Sequence, residues 1–285
     1  MIDHSPDWLD AQYNNRARVS EHPQILARWA DASALARERS LGHYDIAYGV
    51  DPSERLDVFT TPSPKAPVLV FIHGGWWRAL DKRDHSFLAP AFTHAGAMVV
   101  VPNYALCPAV TIEHITLQMV RALVWVHANA ARFGGDPQRI IVAGHSAGGQ
   151  LAAMLLSCRW QEVARGLPVH LVPAALAISA VFDLEPLRQS PYLQADLRLT
   201  PEAVARLSPA RFERPPEGRQ LCAVVGARES EEHLRQNRLI LDAWGADAVP
   251  VCEQIADADH FTILHRLADP ESALHRLALE LLGLT

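Results

Sequence analysis

The stretch Arg139-Ile140-Ile141-Val142-Ala143-Gly144-His145-Ser146-Ala147-Gly148-Gly149-Gln150 decides how this chain reads. Ile140 to Ala143 is a short apolar run rich in β-branched residues, as in a strand buried on both faces. The segment Leu151-Ala152-Ala153-Met154-Leu155-Leu156 is made of strong helix formers. Between them stands Gly-x-Ser-x-Gly, in the strand–turn–helix context where that motif presents a nucleophilic serine. The sharp turn lifts the Ser146 hydroxyl out of the sheet. Gly144 and Gly148 flank it because a Cβ there would strike the neighbouring strand and helix. The helix that follows aims its unpaired N–H groups and its dipole at any anion forming on the serine.

Two further motifs extend this reading in both directions. Upstream, Val68-Leu69-Val70-Phe71-Ile72 runs into His73-Gly74-Gly75-Trp76-Trp77. An HGG loop after a buried strand has the form of an oxyanion loop, and glycine lets backbone N–H groups approach a substrate carbonyl closely. Gly74, Gly75 and Ala147 are the candidate oxyanion donors. Downstream, His260 in Asp257-Ala258-Asp259-His260-Phe261 follows the strand-like Val249–Ile255 and is the candidate base. The order serine, acid, histidine places the acid between Ser146 and His260. Glu229 is the first carboxylate beyond the strand Leu221–Val225, and Asp183, after Ala174–Ile178, is its competitor. Glu229 can also be read as a solvated surface residue. Asp257 and Asp259 lie too near His260 in sequence, and Glu231 and Glu232 suit the first turn of the next helix. His73 reads as a residue that orders the oxyanion loop, and His145 as a packing or pocket residue. Trp76, Trp77, Tyr104, Phe182, Tyr192 and Phe261 are candidate pocket aromatics, each with core packing as its alternative.

Composition narrows the class. At 285 residues, 49% hydrophobic and 20% charged, the chain is a globular protein with ample material for one large core. A net charge of −6 without a basic cluster argues against nucleic acid as a partner. Met1–Asp7 has neither the basic nor the apolar region of a signal peptide, and no apolar run approaches the ~20 residues of a membrane span. Cys107, Cys158, Cys222 and Cys252 form no C-x-x-C pair; Cys222 and Cys252 sit in strand-like runs and are expected as buried thiols. These features point to the cytoplasm. The fourteen histidines show no zinc-binding spacing, so neither metal nor cofactor is expected. A small molecule is the expected partner, and a homodimer is left open.

Eight strand segments are expected: Tyr44–Tyr48, Leu56–Thr60, Val68–Ile72, Met98–Val101, Ile140–Ala143, Ala174–Ile178, Leu221–Val225 and Val249–Ile255. From the third onward they alternate with helical stretches, of which Thr111–Arg132 is the longest. This pattern predicts an α/β fold, a mostly parallel eight-stranded sheet with helices on both faces. Residues 1–285 read as a single domain. Residues 3–42 read as two helices placed to cover the carboxyl edge of the sheet, and 183–209 as a small helical cap. The proline-rich Thr61–Pro67 and Arg211–Arg219 read as loops.

With these residues in place, the chain resembles the α/β-hydrolase superfamily, and within it the kynurenine formamidase (arylformamidase) and esterase group. The resemblance rests on His73-Gly74-Gly75-Trp76-Trp77, Ser146-Ala147-Gly148-Gly149 and Phe182-Asp183-Leu184-Glu185-Pro186-Leu187. Glu229–Glu232 leading into Leu234-Arg235-Gln236, Asp259-His260-Phe261 and Gln12-Tyr13-Asn14-Asn15-Arg16 extend it over nearly the whole chain. It implies the α/β-hydrolase fold and hydrolysis of N-formylkynurenine to kynurenine and formate. HGGxW is shared with many esterases, so a carboxylesterase for short-chain esters is the alternative. From another class, a non-catalytic hydrolase-fold receptor is the third, although such receptors usually lack the serine or the histidine that this chain retains. Glu229 departs from the aspartate usual in the group.

Overall fold

The computed structural model describes residues 5–285. Eight strands form one sheet: β1 (Gly42–Ala47), β2 (Arg55–Phe59), β3 (Ala66–Ile72), β4 (Met98–Pro102), β5 (Gly135–His145), β6 (Ala174–Ile178), β7 (Gln220–Gly226) and β8 (Val251–Ile255). Their spatial order is β1-β2-β4-β3-β5-β6-β7-β8. The pairs β1/β2 and β2/β4 are antiparallel, and every pair from β4/β3 to β7/β8 is parallel. All eight expected strand segments are present. The main departure is β5, which begins at Gly135 rather than Ile140. Its first residues are polar and half-exposed, so they carry no apolar signal.

The continuous apolar runs follow from a sheet covered on both sides. Val68, Val70 and Ile72 enter one core, while Leu69 and Phe71, pointing the other way, enter a second. Against the first lie Ile115, Met119, Leu123 and Val126 of the Ile112–Asn129 helix, with Leu151 and Leu155 of the Ala147–Leu156 helix. Against the second lie Ile25 and Trp29 of the His22–Arg39 helix and Leu274, Ala278 and Leu282 of the Ala273–Leu282 helix. Burying one such aliphatic or aromatic side chain contributes about 1.5–3 kcal/mol, and the central strands supply a row of them on each face.

Two regions stand over the carboxyl ends of the parallel strands. The first is N-terminal, where two helices were expected over residues 3–42. The described part holds three: Pro6–Tyr13, Asn15–Arg18 and His22–Arg39. Asp3 and His4 lie outside the described residues. The chain breaks at Asn14, whose backbone leaves the helical region and whose side chain caps the next helix by accepting from the Ala17 N–H at 3.1 Å. The second region is the expected cap, with short helices Glu185–Gln189, Pro191–Leu197 and Pro201–Leu207 between β6 and β7. Proline in the first turn of each, where a missing N–H costs nothing, explains the closely spaced restarts. The two regions are tied together: Asp10 accepts from Ser190 Oγ at 2.5 Å and from the Tyr192 N–H at 2.9 Å.

Candidate active site

At the end of β5 the backbone of Ser146 takes φ 56° and ψ −118°, a conformation that costs a side-chain-bearing residue about 1–3 kcal/mol. The surroundings hold it there. The Ser146 N–H donates to the Ile178 carbonyl on β6 at 2.7 Å, and the next residue already belongs to the Ala147–Leu156 helix. Glycine is required at 148 because a Cβ would collide with the backbone carbonyls of Ile72 and His73. Elbow, β3 and helix are thus pressed together, and Ser146 is left 3% exposed at the foot of a cleft.

Three side chains from three separate loops meet at that point. Ser146 Oγ lies 3.1 Å from His260 Nε2, and His260 Nδ1 lies 2.7 Å from Glu229 Oε2. The other Glu229 oxygen accepts from Ser179 Oγ at 2.5 Å and from the Gly226 N–H at 2.8 Å. Three hydrogen bonds therefore hold one carboxylate in a single orientation. Burial pushes the His260 imidazole below its ordinary range, so at neutral pH it is uncharged. With its proton on Nδ1, shared with Glu229, it presents a bare Nε2 to the serine hydroxyl. His145 pins the loop from beneath, its Nε2 being 2.7 Å from the His260 carbonyl. Asp183 is elsewhere, paired with Arg211 at 2.9 Å, and Asp257 is an exposed partner of Arg228. Asp259 caps its own loop, accepting from the N–H groups of Phe261 and Thr262. Glu232 opens the Glu231–Trp244 helix but is buried, bound to Tyr13 and Arg235.

The His73–Trp77 loop crosses above the elbow. Gly74 lies so near that a Cβ on it would come 3.0 Å from Ser146 Cβ and 2.8 Å from the His145 carbonyl. Gly75 has φ +106° and its Cβ would strike the Ala79 carbonyl, so only glycine fits. The loop is braced from behind. Tyr104 donates to the carbonyls of His73 and Gly74 at 2.8 and 3.2 Å and stacks on the His73 ring at 4.1 Å. His73 Nδ1 lies 2.9 Å from the Gly74 carbonyl and its Nε2 3.1 Å from Asn103 Oδ1, and burial lowers its pKa, which suits an ordering role.

The cleft, about 720 Å³, is bounded by Trp76, His145, Ser146, Tyr192, His260 and Phe261, together with residues the sequence did not single out as pocket: Asn14, Asn15, Arg16, His22, Trp29, Arg78 and Asp196. Three expected pocket aromatics are corrected. Trp77 and Phe182 are fully buried in the core, while Trp76, buried in the same core, also lines the cleft, and Tyr104 is the brace just described. A row of adjacent aromatics gives no clue to which ring turns inward. Cys252 is likewise half-buried rather than buried, because β8 is an edge strand.

His233 escaped notice altogether. It is fully buried, its ring centroid 4.9 Å from that of His260, and burial pushes it down to about 4. No spacing marks it, since it reaches the site only because the Glu231–Trp244 helix starts beside Glu229. Glu229, His233 and His260 bring three groups able to ligate a metal within 4.8 Å, although Glu229 and His260 are already bonded to each other.

A buried serine on a strained strand–helix turn, beneath a glycine loop and in contact with a neutral histidine, defines a class of acyl-transfer hydrolases. This chain belongs to the α/β-hydrolase family: residues 69–231 match the family described as alpha/beta hydrolase fold. It is a hydrolase of the kynurenine formamidase and esterase group. It is 30% identical to kynurenine formamidase of Danio rerio over 98% of this chain and 97% of that protein. It is 36% identical to esterase LipQ of Mycobacterium tuberculosis, there over only 39% of this chain and 28% of the relative. Among solved structures, one described as a thioesterase from Silicibacter sp. TM1040 superposes with a TM-score of 0.81, at 29% identity, covering 93% of this chain and 97% of that one. Among the described residues, no helix is long and apolar enough to cross a membrane.

Proposed function

We propose that Ser146, His260 and Glu229 form a catalytic triad, and that the enzyme hydrolyses an aromatic amide or ester with a small acyl group, in the manner of an arylformamidase acting on N-formylkynurenine. The observation that carries this reading is the unbroken hydrogen-bond chain from Ser146 Oγ through His260 to Glu229, at 3.1 and 2.7 Å, inside a cleft with aromatic walls. His260 Nε2 takes the hydroxyl proton as Oγ attacks the acyl carbon. The carbonyl oxygen becomes an oxyanion, held by the backbone N–H groups of Gly74, Gly75 and Ala147, each donor being worth roughly 3 kcal/mol of barrier. The tetrahedral intermediate collapses, His260 returns its proton to the departing arylamine or alcohol, and the acyl group stays on Ser146. Water, deprotonated by the same nitrogen, releases the acid. Glu229 holds the tautomer and stabilises the imidazolium that forms twice per cycle.

The full-length likeness to a kynurenine formamidase supports the formamide substrate, and the closeness of Gly74 to Ser146 supports a small acyl group. The second reading, a short-chain carboxylesterase, draws on the LipQ match over 39% of this chain. Turnover of N-formylkynurenine measured beside p-nitrophenyl acetate and butyrate separates the two. A kcat/KM for the formamide above that for both esters is expected; ester hydrolysis without formamide hydrolysis overturns the first reading in favour of the second.

A further inference from the structure

The walls of the cleft carry one cation, Arg16, whose charge no group among the described residues answers. Arg78 is spent: it pairs with Asp196 at 2.5 Å and lies over the Tyr192 ring at 4.4 Å. Arg16 lines the same cleft, and among the described residues no hydrogen bond, ion pair or ring contact engages its guanidinium. His145 and His260, which also face the cleft, are held neutral by burial and carry no charge there. Among the residues that line the cleft, two arginines stand against one aspartate, and that aspartate is taken up by Arg78. Beside Arg16, Asn15 also lines the cleft, is 5% exposed, and holds its amide nitrogen Nδ2 buried without an acceptor. A buried donor left unmatched is unfavourable unless something fills the site.

We propose that Asn15 and Arg16 form a carboxylate-recognition subsite, so that the preferred substrate is an aryl amide or ester bearing a carboxylate away from the bond that is cleaved. The fork of the guanidinium supplies charge and paired donors, and the Asn15 amide adds a neutral donor alongside. Trp76 and Tyr192, which line the same cleft, offer rings to the aromatic part of such a substrate. The subsite comes from the turn between the Pro6–Tyr13 and Asn15–Arg18 helices, which gives the N-terminal region a task in selecting substrate beyond covering the sheet. The assignment rests on Ser146 being the nucleophile, since the cleft is defined by its position around that residue.

The test compares substrates that differ only in the charge of one group: the acetate ester of meta-hydroxybenzoic acid against that of its methyl ester, and N-formylkynurenine against its methyl ester. In at least one pair the wild type is expected to favour the free acid by about tenfold in kcat/KM, expressed in KM. Arg16→Ala should bring that ratio close to one, while Arg16→Lys, a point charge without the fork, keeps part of it. Arg16 is exposed, so the fold tolerates both changes; Asn15→Ala, checked by its melting temperature, should lower the ratio by a smaller factor. A wild type that hydrolyses these compounds without preferring either acid, or an Arg16→Ala ratio equal to that of the wild type, overturns the subsite and leaves the serine-hydrolase reading standing. Absence of turnover on all four compounds and on phenyl acetate overturns both.

Discussion

Ser146 is 3% exposed and wedged between β5, β6 and a helix whose backbone leaves no room for a Cβ at position 148. Arg16, Tyr192 and Asp196, across the same cleft, stand on helices of four and seven residues that have no strand beneath them. The floor is over-determined, since every group there has several partners of fixed geometry. The roof is joined by a few contacts such as Asp10 with Ser190 and Tyr192. Chemistry that needs atoms held to a fraction of an ångström belongs on the first kind of scaffold, and selectivity among related substrates on the second. On this division, damage to the floor lowers kcat for every substrate, and damage to the roof changes KM for some.

The largest test of the floor is Ser146→Ala. Loss of the nucleophile in a triad enzyme costs on the order of 10⁶ in kcat, and a similar loss is expected here for all substrates. Intact-mass analysis after phenylmethanesulfonyl fluoride should show one adduct on the wild type and none on the variant; labelling of both at one rate would show that another residue is the nucleophile. Next comes the acid. Glu229→Gln can keep the bonds from Ser179 and the Gly226 N–H on its oxygen but turns an NH2 donor toward His260, removes the charge and permits the wrong tautomer, for a loss of roughly 10²–10⁴ in kcat. Asp183→Asn, which weakens an ion pair with Arg211 and leaves an oxygen to accept from the Glu185 N–H, should stay within a few-fold. A folded but inactive Asp183→Asn beside an active Glu229→Gln would reverse the assignment.

On the roof, Trp76→Ala should raise KM for aryl substrates by about tenfold through lost apolar contact, with kcat changing less. An equal fall in kcat for aryl and alkyl esters would mean that Trp76 belongs with the floor, as its φ of 52° in the glycine loop allows. The smallest effect is on pH. Burial lowers the pKa of His73, His85, His145, His233 and His260 below the ordinary value near 6.5. The unfolded chain therefore binds more protons than the folded one once the pH falls below that value, and stability must drop with it. A melting temperature that declines from pH 7 to pH 5 is expected. The acid limb of kcat/KM should lie below pH 6.5, because His260 stays an uncharged base into that range; a limb above pH 7 would show that Glu229 outweighs burial.

Much of the floor was legible in the amino-acid order because local backbone chemistry dictates it. A β-branched run, two glycines around a serine and a helix-forming segment leave few conformations for residues 139–156. The same holds for the glycines of the His73–Trp77 loop. The choice between Glu229 and Asp183 was not local: both follow a strand, and only the sheet order, with β7 between β6 and β8, puts the loop of Glu229 next to that of His260. The brace on Glu229 from Ser179 links residues 50 apart, and nothing in the neighbourhood of either announces it.

The roof shows the opposite balance. Helical pattern placed elements over residues 3–42 and 183–209, because helical periodicity is a property of short segments. Which side chains of those elements face the serine depends on how each helix is rotated and docked, and hydrophobic spacing is silent on that for polar residues such as Asn15, Arg16 and Asp196. Trp76 and Trp77 are adjacent and share one core, yet of the two Trp76 alone lines the cleft. Sequence thus determined the strands, the elbow and the candidate nucleophile and base, all consequences of neighbours along the chain. The partner of the base, the aromatic walls and the uncompensated charge above the serine were decided by tertiary structure, since each depends on groups that meet only when the sheet and its covering helices have closed.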